Sequence, residues 1–111
     1  MRIVIKVLSI IIILFGLIHI YFASCRSMDI DTLWFIGAGF AIIFPGLLNL
    51  VAIDRGGSKF TITTALIINV LMFIMFCLAL LIINELQVYL GITIFLISSL
   101  AFLIRLLRNH I

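Results

Sequence analysis

Four long stretches without a charged residue constrain this chain more than any other feature. They cover residues 7–25, 32–53, 60–84 and 86–104, so each is between 19 and 25 residues long. A helix needs roughly 20 apolar residues to cross about 30 Å of hydrocarbon. We therefore predict a single-domain, all-α integral membrane protein. Its four transmembrane helices are expected at about residues 4–24, 32–53, 60–83 and 88–107.

The composition excludes a water-soluble domain. Hydrophobic residues make up 67% of the chain and charged residues 10%, against about 45–50% and about 25% in soluble proteins. Strands of a membrane barrel would alternate apolar and polar residues. The runs at 10–13 and 78–83 do not alternate, which favours helices.

The basic residues predict an orientation. Arg26 is alone on the side of the first and third connections, and six basic residues lie on the other side: Arg2, Lys6, Arg55, Lys59, Arg105 and Arg108. By the positive-inside rule both termini are cytoplasmic, in a bacterial cytoplasmic (inner) membrane. The aromatic residues Tyr21, Trp34 and Tyr89 fall near the opposite, outer interface, where amphipathic rings prefer to lie. The net charge of +3 is thus explained by topology, and we predict no nucleic-acid partner.

The connections at 27–31, 54–58 and 84–87 are short. Short connections make consecutive helices antiparallel neighbours, which predicts an up-down-up-down four-helix bundle. Asp31 or Thr32 is expected to cap the second helix, and Ser58 the third.

Small and polar residues recur along each helix and predict its packed face. Asn49, Asn69 and Ser98 are expected to form hydrogen bonds between helices, although a polar passage is an alternative for the asparagines. Pro45 lies inside the second helix and removes one backbone hydrogen bond. It predicts a packing kink, with a hinge or a cavity wall as the alternative.

His19 is the strongest candidate for a functional residue, since an ionisable side chain at membrane depth suggests a function. The alternative is a structural histidine that pairs with Thr93 or with a backbone carbonyl. As a ligand site we predict a pocket in the outer half of the membrane, formed by His19, Trp34, Gly37, Gly39, Tyr89 and Thr93. We predict no metal, because zinc sites need about four ligands. We predict no cofactor either, since His110, the other histidine, is at the far end of the chain.

Cys25 follows the sequence "FAS" at the end of the first apolar run. Such a cysteine could be lipidated after signal cleavage, but signal cores of about 7–15 residues are shorter than this run. We therefore predict an uncleaved helix end. A disulfide to Cys77 is not expected, because helix rise places the two cysteines too far apart.

No catalytic constellation of acid, base and nucleophile is evident, so we predict that the protein is not an enzyme. A small transporter is a lesser alternative. The small multidrug resistance transporters carry a glutamate in the first helix, and the first helix here has no carboxylate.

The segment "LWFIGAGFAIIFPGLLNL" at 33–50, together with "GLIH" at 16–19, resembles small uncharacterised four-helix membrane proteins of bacteria, loosely DoxX-like. The resemblance covers the first two helices. It implies an inner-membrane four-helix bundle and no particular activity.

Two functional hypotheses follow. The first is an accessory or structural subunit, which binds other membrane-protein subunits or a second copy of itself among the membrane lipids. The second is a binder of a lipid or isoprenoid-like ligand in the outer-leaflet pocket near His19. The first predicts co-purification with a larger complex, and the second predicts a cavity in the outer half.

Overall fold

The chain folds into four α-helices in a computed structural model, which describes residues 2–54 and 57–108. This confirms the predicted all-helical class with four helices, and each helix is long and apolar enough to cross a membrane. Arg55 and His110, which entered the predictions above, lie outside the described residues. The helices are α1 (Arg2–Ser24), α2 (Ile30–Ile53), α3 (Lys59–Leu80) and α4 (Leu86–Arg108).

The helices form two hairpins, α1 with α2 and α3 with α4, and the packing is most extensive within each hairpin. The α1–α2 and α3–α4 connections lie together at what we call the two-loop end. The α2–α3 connection, the start of α1 and the end of α4 lie at what we call the terminal end. Between the hairpins, α2 packs against α3 and α1 packs against α4, both less extensively than the helices within a hairpin. The bundle therefore consists of two closely packed helix pairs, and the contact between the two pairs is less extensive.

Asp29 caps α2, so the prediction of Asp31 or Thr32 is wrong. The Asp29 side chain accepts a hydrogen bond from the Thr32 amide at 2.8 Å, and α2 consequently begins two residues before the predicted start. Hydrogen bonds from Thr32, its backbone amide first, lower the pKa of Asp29, and the charge of Arg26 adds to the effect. At α3 the Ser58 hydroxyl accepts from the Thr61 amide at 3.1 Å, which is the predicted cap.

Glycines bring the backbones of α1 and α2 into direct contact. A Cβ atom added to Gly16 would lie 2.9 Å from the Gly39 carbonyl oxygen, and one added to Gly46 would lie 3.0 Å from the Ser9 carbonyl oxygen. A side chain at either position would therefore push against backbone. Close approach through small residues is how helices associate in lipid, where no hydrophobic force favours a helix neighbour over a lipid one.

Pro45 is buried and does not break α2, which continues from Ile30 to Ile53. The ring leaves the Ala41 carbonyl without its helical partner. Neighbouring helices and local adjustments commonly satisfy such a carbonyl in membrane helices.

The interior consists of layers along the bundle axis. Near mid-height the rings of Phe15, Phe76 and Phe95 follow one another across α1, α3 and α4, with centroids 6.2 and 5.6 Å apart. Towards the terminal end lies a fully apolar core. Its buried members are Ile5, Ala52, Ile53, Ile62, Ala65, Ala101 and Phe102. Buried apolar side chains thus extend from the middle of the bundle to the terminal end.

Candidate ligand-binding site

A cavity of about 280 Å³ lies between the two hairpins on the two-loop side of the aromatic layer. All four helices contribute to it, and Phe15 and Phe76 form its floor. Among the side chains that line it are Phe15, His19, Ala41, Met75, Ala79 and Val88. We call this space the inter-hairpin cavity.

The walls of the inter-hairpin cavity are apolar. Apart from His19 and Gln87, every described side chain that lines it is a hydrocarbon or a thioether. Ligand sites commonly combine a mostly apolar lining with a few polar groups that fix orientation. The chemistry of the lining therefore fits a molecule that is largely hydrocarbon.

The exposed residues of the lining show where the cavity reaches the surface. Ala41 of α2 and Met75 of α3 line it and are exposed on the side of the bundle between these helices, and Ala38 and Gln87 are exposed nearer the two-loop end. The short side chain of Ala41 leaves space at this edge. Met75 is unbranched and adaptable, as is its neighbour Met72, and such side chains adjust readily to a bound molecule.

His19 lies on the wall of the cavity with its ring 5.7 Å from that of Phe35, measured between centroids. Its Nε2 atom is buried and has no hydrogen-bond partner among the described residues. A buried polar atom without a partner costs about 1–3 kcal/mol. Rotation about χ2 of histidine is soft and exchanges the places of ring nitrogen and carbon atoms. Such a flip is a half-turn of about 180°, and it can present a nitrogen to a molecule in the cavity.

Tyr89 and Thr93, which we expected near His19, bond elsewhere. The Tyr89 hydroxyl donates to the Asn84 side-chain oxygen at 2.9 Å. The Thr93 hydroxyl donates to the Tyr89 carbonyl in its own helix, also at 2.9 Å. Both side chains are exposed, and neither lines the inter-hairpin cavity as the described residues define it.

The three expected residues of α2 also face away from this cavity. Trp34 is 74% exposed and borders a separate surface groove. Gly37 faces open space, and Gly39 packs against Ile20 in the α1–α2 contact. Of the six residues predicted for the pocket, His19 alone lies in the described lining.

Helix α2 lines the cavity with other residues than we predicted. They include Phe35, Ala38 and Ala41, where we expected Trp34, Gly37 and Gly39. They are one to two positions away along the helix, which is a rotation of roughly 100–200° at 3.6 residues per turn. The sequence did contain one indication of the cavity, because small side chains leave space between helices. These side chains are Ala38, Ala41 and Ala79.

Asn49 and Asn69 join the two hairpins through a pair of side-chain hydrogen bonds. Asn49 Nδ2 donates to Asn69 Oδ1 at 3.2 Å, and Asn69 Nδ2 donates to Asn49 Oδ1 at 2.7 Å. Asn69 also donates to the Ala65 carbonyl at 2.6 Å. Both side chains are fully buried. Ser98 is buried as well, but its hydroxyl has no partner among the described residues.

The two cysteines and the metal-ligating side chains were the other candidates for a functional site. Cys25 is exposed, Cys77 is partly buried, and both are free thiols. Within residues 2–54 and 57–108, no group of three or more His, Cys, Asp or Glu side chains is placed to hold a metal ion. The inter-hairpin cavity is thus the principal candidate site in the part of the chain that the structure describes.

Comparisons with known proteins give no family, because no family model, curated protein or solved structure matches the chain significantly. The DoxX-like resemblance stays a prediction. The four apolar helices indicate a multi-pass membrane protein, and its function must be argued from the cavity itself.

Proposed function

We propose that this is a multi-pass protein of a bacterial cytoplasmic membrane that binds a lipid or isoprenoid-like molecule in the inter-hairpin cavity. The observation that carries the proposal is the cavity itself, which is apolar, bordered by all four helices and lined at one point by His19. No catalytic residue is assigned, and binding is the proposed activity.

The sideways opening supports a ligand that arrives from the bilayer. Ala41 and Met75 lie at the edge of α2 and α3, on a surface that lipid chains would contact. A hydrocarbon chain can move from the bilayer into an apolar cavity without crossing water. An oxygen atom of such a ligand would find a hydrogen-bond partner in the imidazole of His19, which can donate or accept.

The charge distribution supports an outer-leaflet location. The terminal end carries Lys6, Lys59, Arg105 and Arg108, whereas the two-loop end carries Arg26. By the positive-inside rule the terminal end is cytoplasmic. The inter-hairpin cavity then lies in the outer half of the membrane.

The test is native mass spectrometry of the protein released from lipid nanodiscs of bacterial lipid extract. We expect the wild-type chain to retain one lipid molecule. Ala41→Phe is expected to lose it, because the added ring fills the opening. Leu47→Phe adds an aromatic ring to an exposed position of the same helix outside the cavity lining, and it is expected to retain the lipid.

Retention of the lipid by Ala41→Phe at the wild-type level would contradict the proposal. So would a wild-type protein that carries no lipid but co-purifies with a second polypeptide in fixed stoichiometry. That second result would instead support the accessory-subunit hypothesis.

His19→Phe separates a binding role from a structural one. Phenylalanine keeps the ring beside Phe35 and replaces the unpartnered nitrogen with carbon, so we expect unchanged or increased stability. The affinity for an oxygen-bearing lipid is expected to fall about tenfold, which corresponds to the loss of one hydrogen bond of about 1.4 kcal/mol. Unfolding in mixed detergent measures the first quantity and lipid titration the second.

A loss of lipid affinity without a loss of protein stability in His19→Phe would identify His19 as a binding residue. If His19→Phe lowered stability and left lipid affinity unchanged, His19 would be a packing residue. His19→Gln, which keeps hydrogen-bonding capacity, is expected to retain part of the affinity.

A further inference from the structure

A second depression, at the two-loop end, adjoins the inter-hairpin cavity. It has a volume of about 410 Å³ and is lined by Arg26, Asp31, Trp34, Phe35 and Ala38. We call it the headgroup groove. Its lining combines one cation, one anion and an exposed indole, whereas the inter-hairpin cavity is almost entirely apolar.

Phe35 and Ala38 line both spaces. The Phe35 ring lies between the groove and the cavity. Its centroid is 5.7 Å from the centroid of the His19 ring, which belongs to the cavity, and 5.2 Å from the guanidinium carbon of Arg26, which belongs to the groove. The polar groove and the apolar cavity therefore lie side by side, with Phe35 and Ala38 as their common wall. An amphipathic molecule that passes over this wall can place its polar part in the groove and its apolar part in the cavity.

Arg26 is positioned to bind an anionic group. The cation–π contact with Phe35 holds the guanidinium over the ring, and its N–H groups match the oxygens of a phosphate. Asp29, the nearby carboxylate, already accepts the capping hydrogen bond from Thr32. Asp31 is the carboxylate that lines the groove itself.

The charges around the groove do not favour a purely anionic ligand. Arg26 contributes one positive charge, and Asp29 and Asp31 contribute two negative charges. A group that carries both signs meets complementary partners, with its anion at Arg26 and its cation near Asp31. The face of Trp34 offers a further favourable contact for an ammonium group.

We infer that the ligand is a zwitterionic phospholipid. Its phosphate binds Arg26, its ammonium lies beside Asp31 and Trp34, and one acyl chain passes Phe35 into the inter-hairpin cavity. This inference rests on the proposed function and names the headgroup chemistry that the cavity alone does not specify.

The test is lipid competition on the full chain in detergent, followed by native mass spectrometry. Phosphatidylethanolamine, phosphatidylglycerol and diacylglycerol are compared at equal acyl composition. We expect wild-type protein to prefer phosphatidylethanolamine over the other two about tenfold, because it alone supplies both a phosphate for Arg26 and an ammonium for Asp31, and each of these contacts is charge-assisted. Soluble phosphoethanolamine, which lacks the chains, is expected not to compete.

Two variants change the preference in different ways. Arg26→Gln removes the phosphate partner and is expected to lower phosphatidylethanolamine affinity about tenfold. Asp31→Asn leaves the groove less negative and is expected to shift the preference towards phosphatidylglycerol. The matched controls are Lys59→Gln and Asp54→Asn, which remove single charges at the terminal end and are expected to keep the wild-type preference.

The outcomes distinguish this inference from the proposed function. If all three lipids bound equally and Arg26→Gln had no effect, the headgroup inference would be wrong while lipid binding would stand. Competition by phosphoethanolamine at the concentration of the lipid would also overturn the inference, because it would indicate a site for the free headgroup. Absence of any retained lipid would overturn both.

Discussion

Gly16→Leu is expected to destabilise the protein by about 3 kcal/mol, towards the upper end of the usual cost of overpacking. A Cβ atom at Gly16 would lie 2.6 Å from Ile43 Cγ1 and 2.9 Å from the Gly39 carbonyl oxygen. The second atom belongs to the backbone, so no side-chain rotation can relieve the contact. The axes of α1 and α2 would have to separate, and the packing along most of the first hairpin would loosen.

Gly37→Leu is the matched control for this prediction. A Cβ atom at Gly37 would meet nothing within 4 Å, and both substitutions give the same gain in helix propensity. We expect Gly37→Leu to leave stability unchanged or to raise it by at most about 1 kcal/mol, the size of that propensity gain. Unfolding by sodium dodecyl sulfate, followed by circular dichroism, measures both. Equal effects of the two substitutions would show that the glycine contact does not hold the hairpin together.

The Asn49–Asn69 pair is expected to be the strongest polar contact between the hairpins. Asn69→Leu leaves the Asn49 amide buried without its partner, and we expect a loss of about 1.5 kcal/mol. Asn49→Leu is expected to cost a similar amount for the same reason. The double variant should be less unstable than the sum of the single variants by about 1 kcal/mol, because the unpaired amide is then absent.

A double-mutant cycle in the same unfolding assay measures this coupling. Thr64→Val serves as a control, because the Thr64 hydroxyl donates to the Phe60 carbonyl of its own helix and links no second helix. We expect it to have little effect. Strict additivity of the two asparagine substitutions would contradict a direct contact between their side chains.

The class of fold could be predicted because charge is absent over long stretches. The runs at 7–25, 32–53, 60–84 and 86–104 leave few alternatives to four spanning helices, and the short connections favour antiparallel neighbours. Ser58 as a cap also followed from local sequence, because a serine at the start of a long apolar segment is a strong helix-start signal, and here only Lys59 separates it from the run that begins at Phe60. At Asp29 the same rule was misleading, since three capping residues occur within four positions.

The residues that line the cavity could not be predicted as well as the class of fold. Amphipathic helices reveal their buried face by contrast between apolar and polar positions, and α2 has almost none. Its rotation about its own axis is set by backbone contacts at Gly39 and Gly46, which place Ala41 towards α3 and leave Gly37 outside. Those contacts depend on the partner helix, so the sequence of α2 alone does not contain them. His19 was recognisable because it is the one histidine within the four uncharged runs.

The division into two hairpins has a consequence for biogenesis. The ribosome completes α1 and α2 before α3 exists, and the glycine contacts that join these helices require nothing from the second half of the chain. The first hairpin can therefore reach its final packing during synthesis, and the second can dock onto a preformed surface. Asn49 lies on that surface and bonds Asn69 when the second hairpin docks. This pair of hydrogen bonds fixes the position of the second hairpin along the membrane normal.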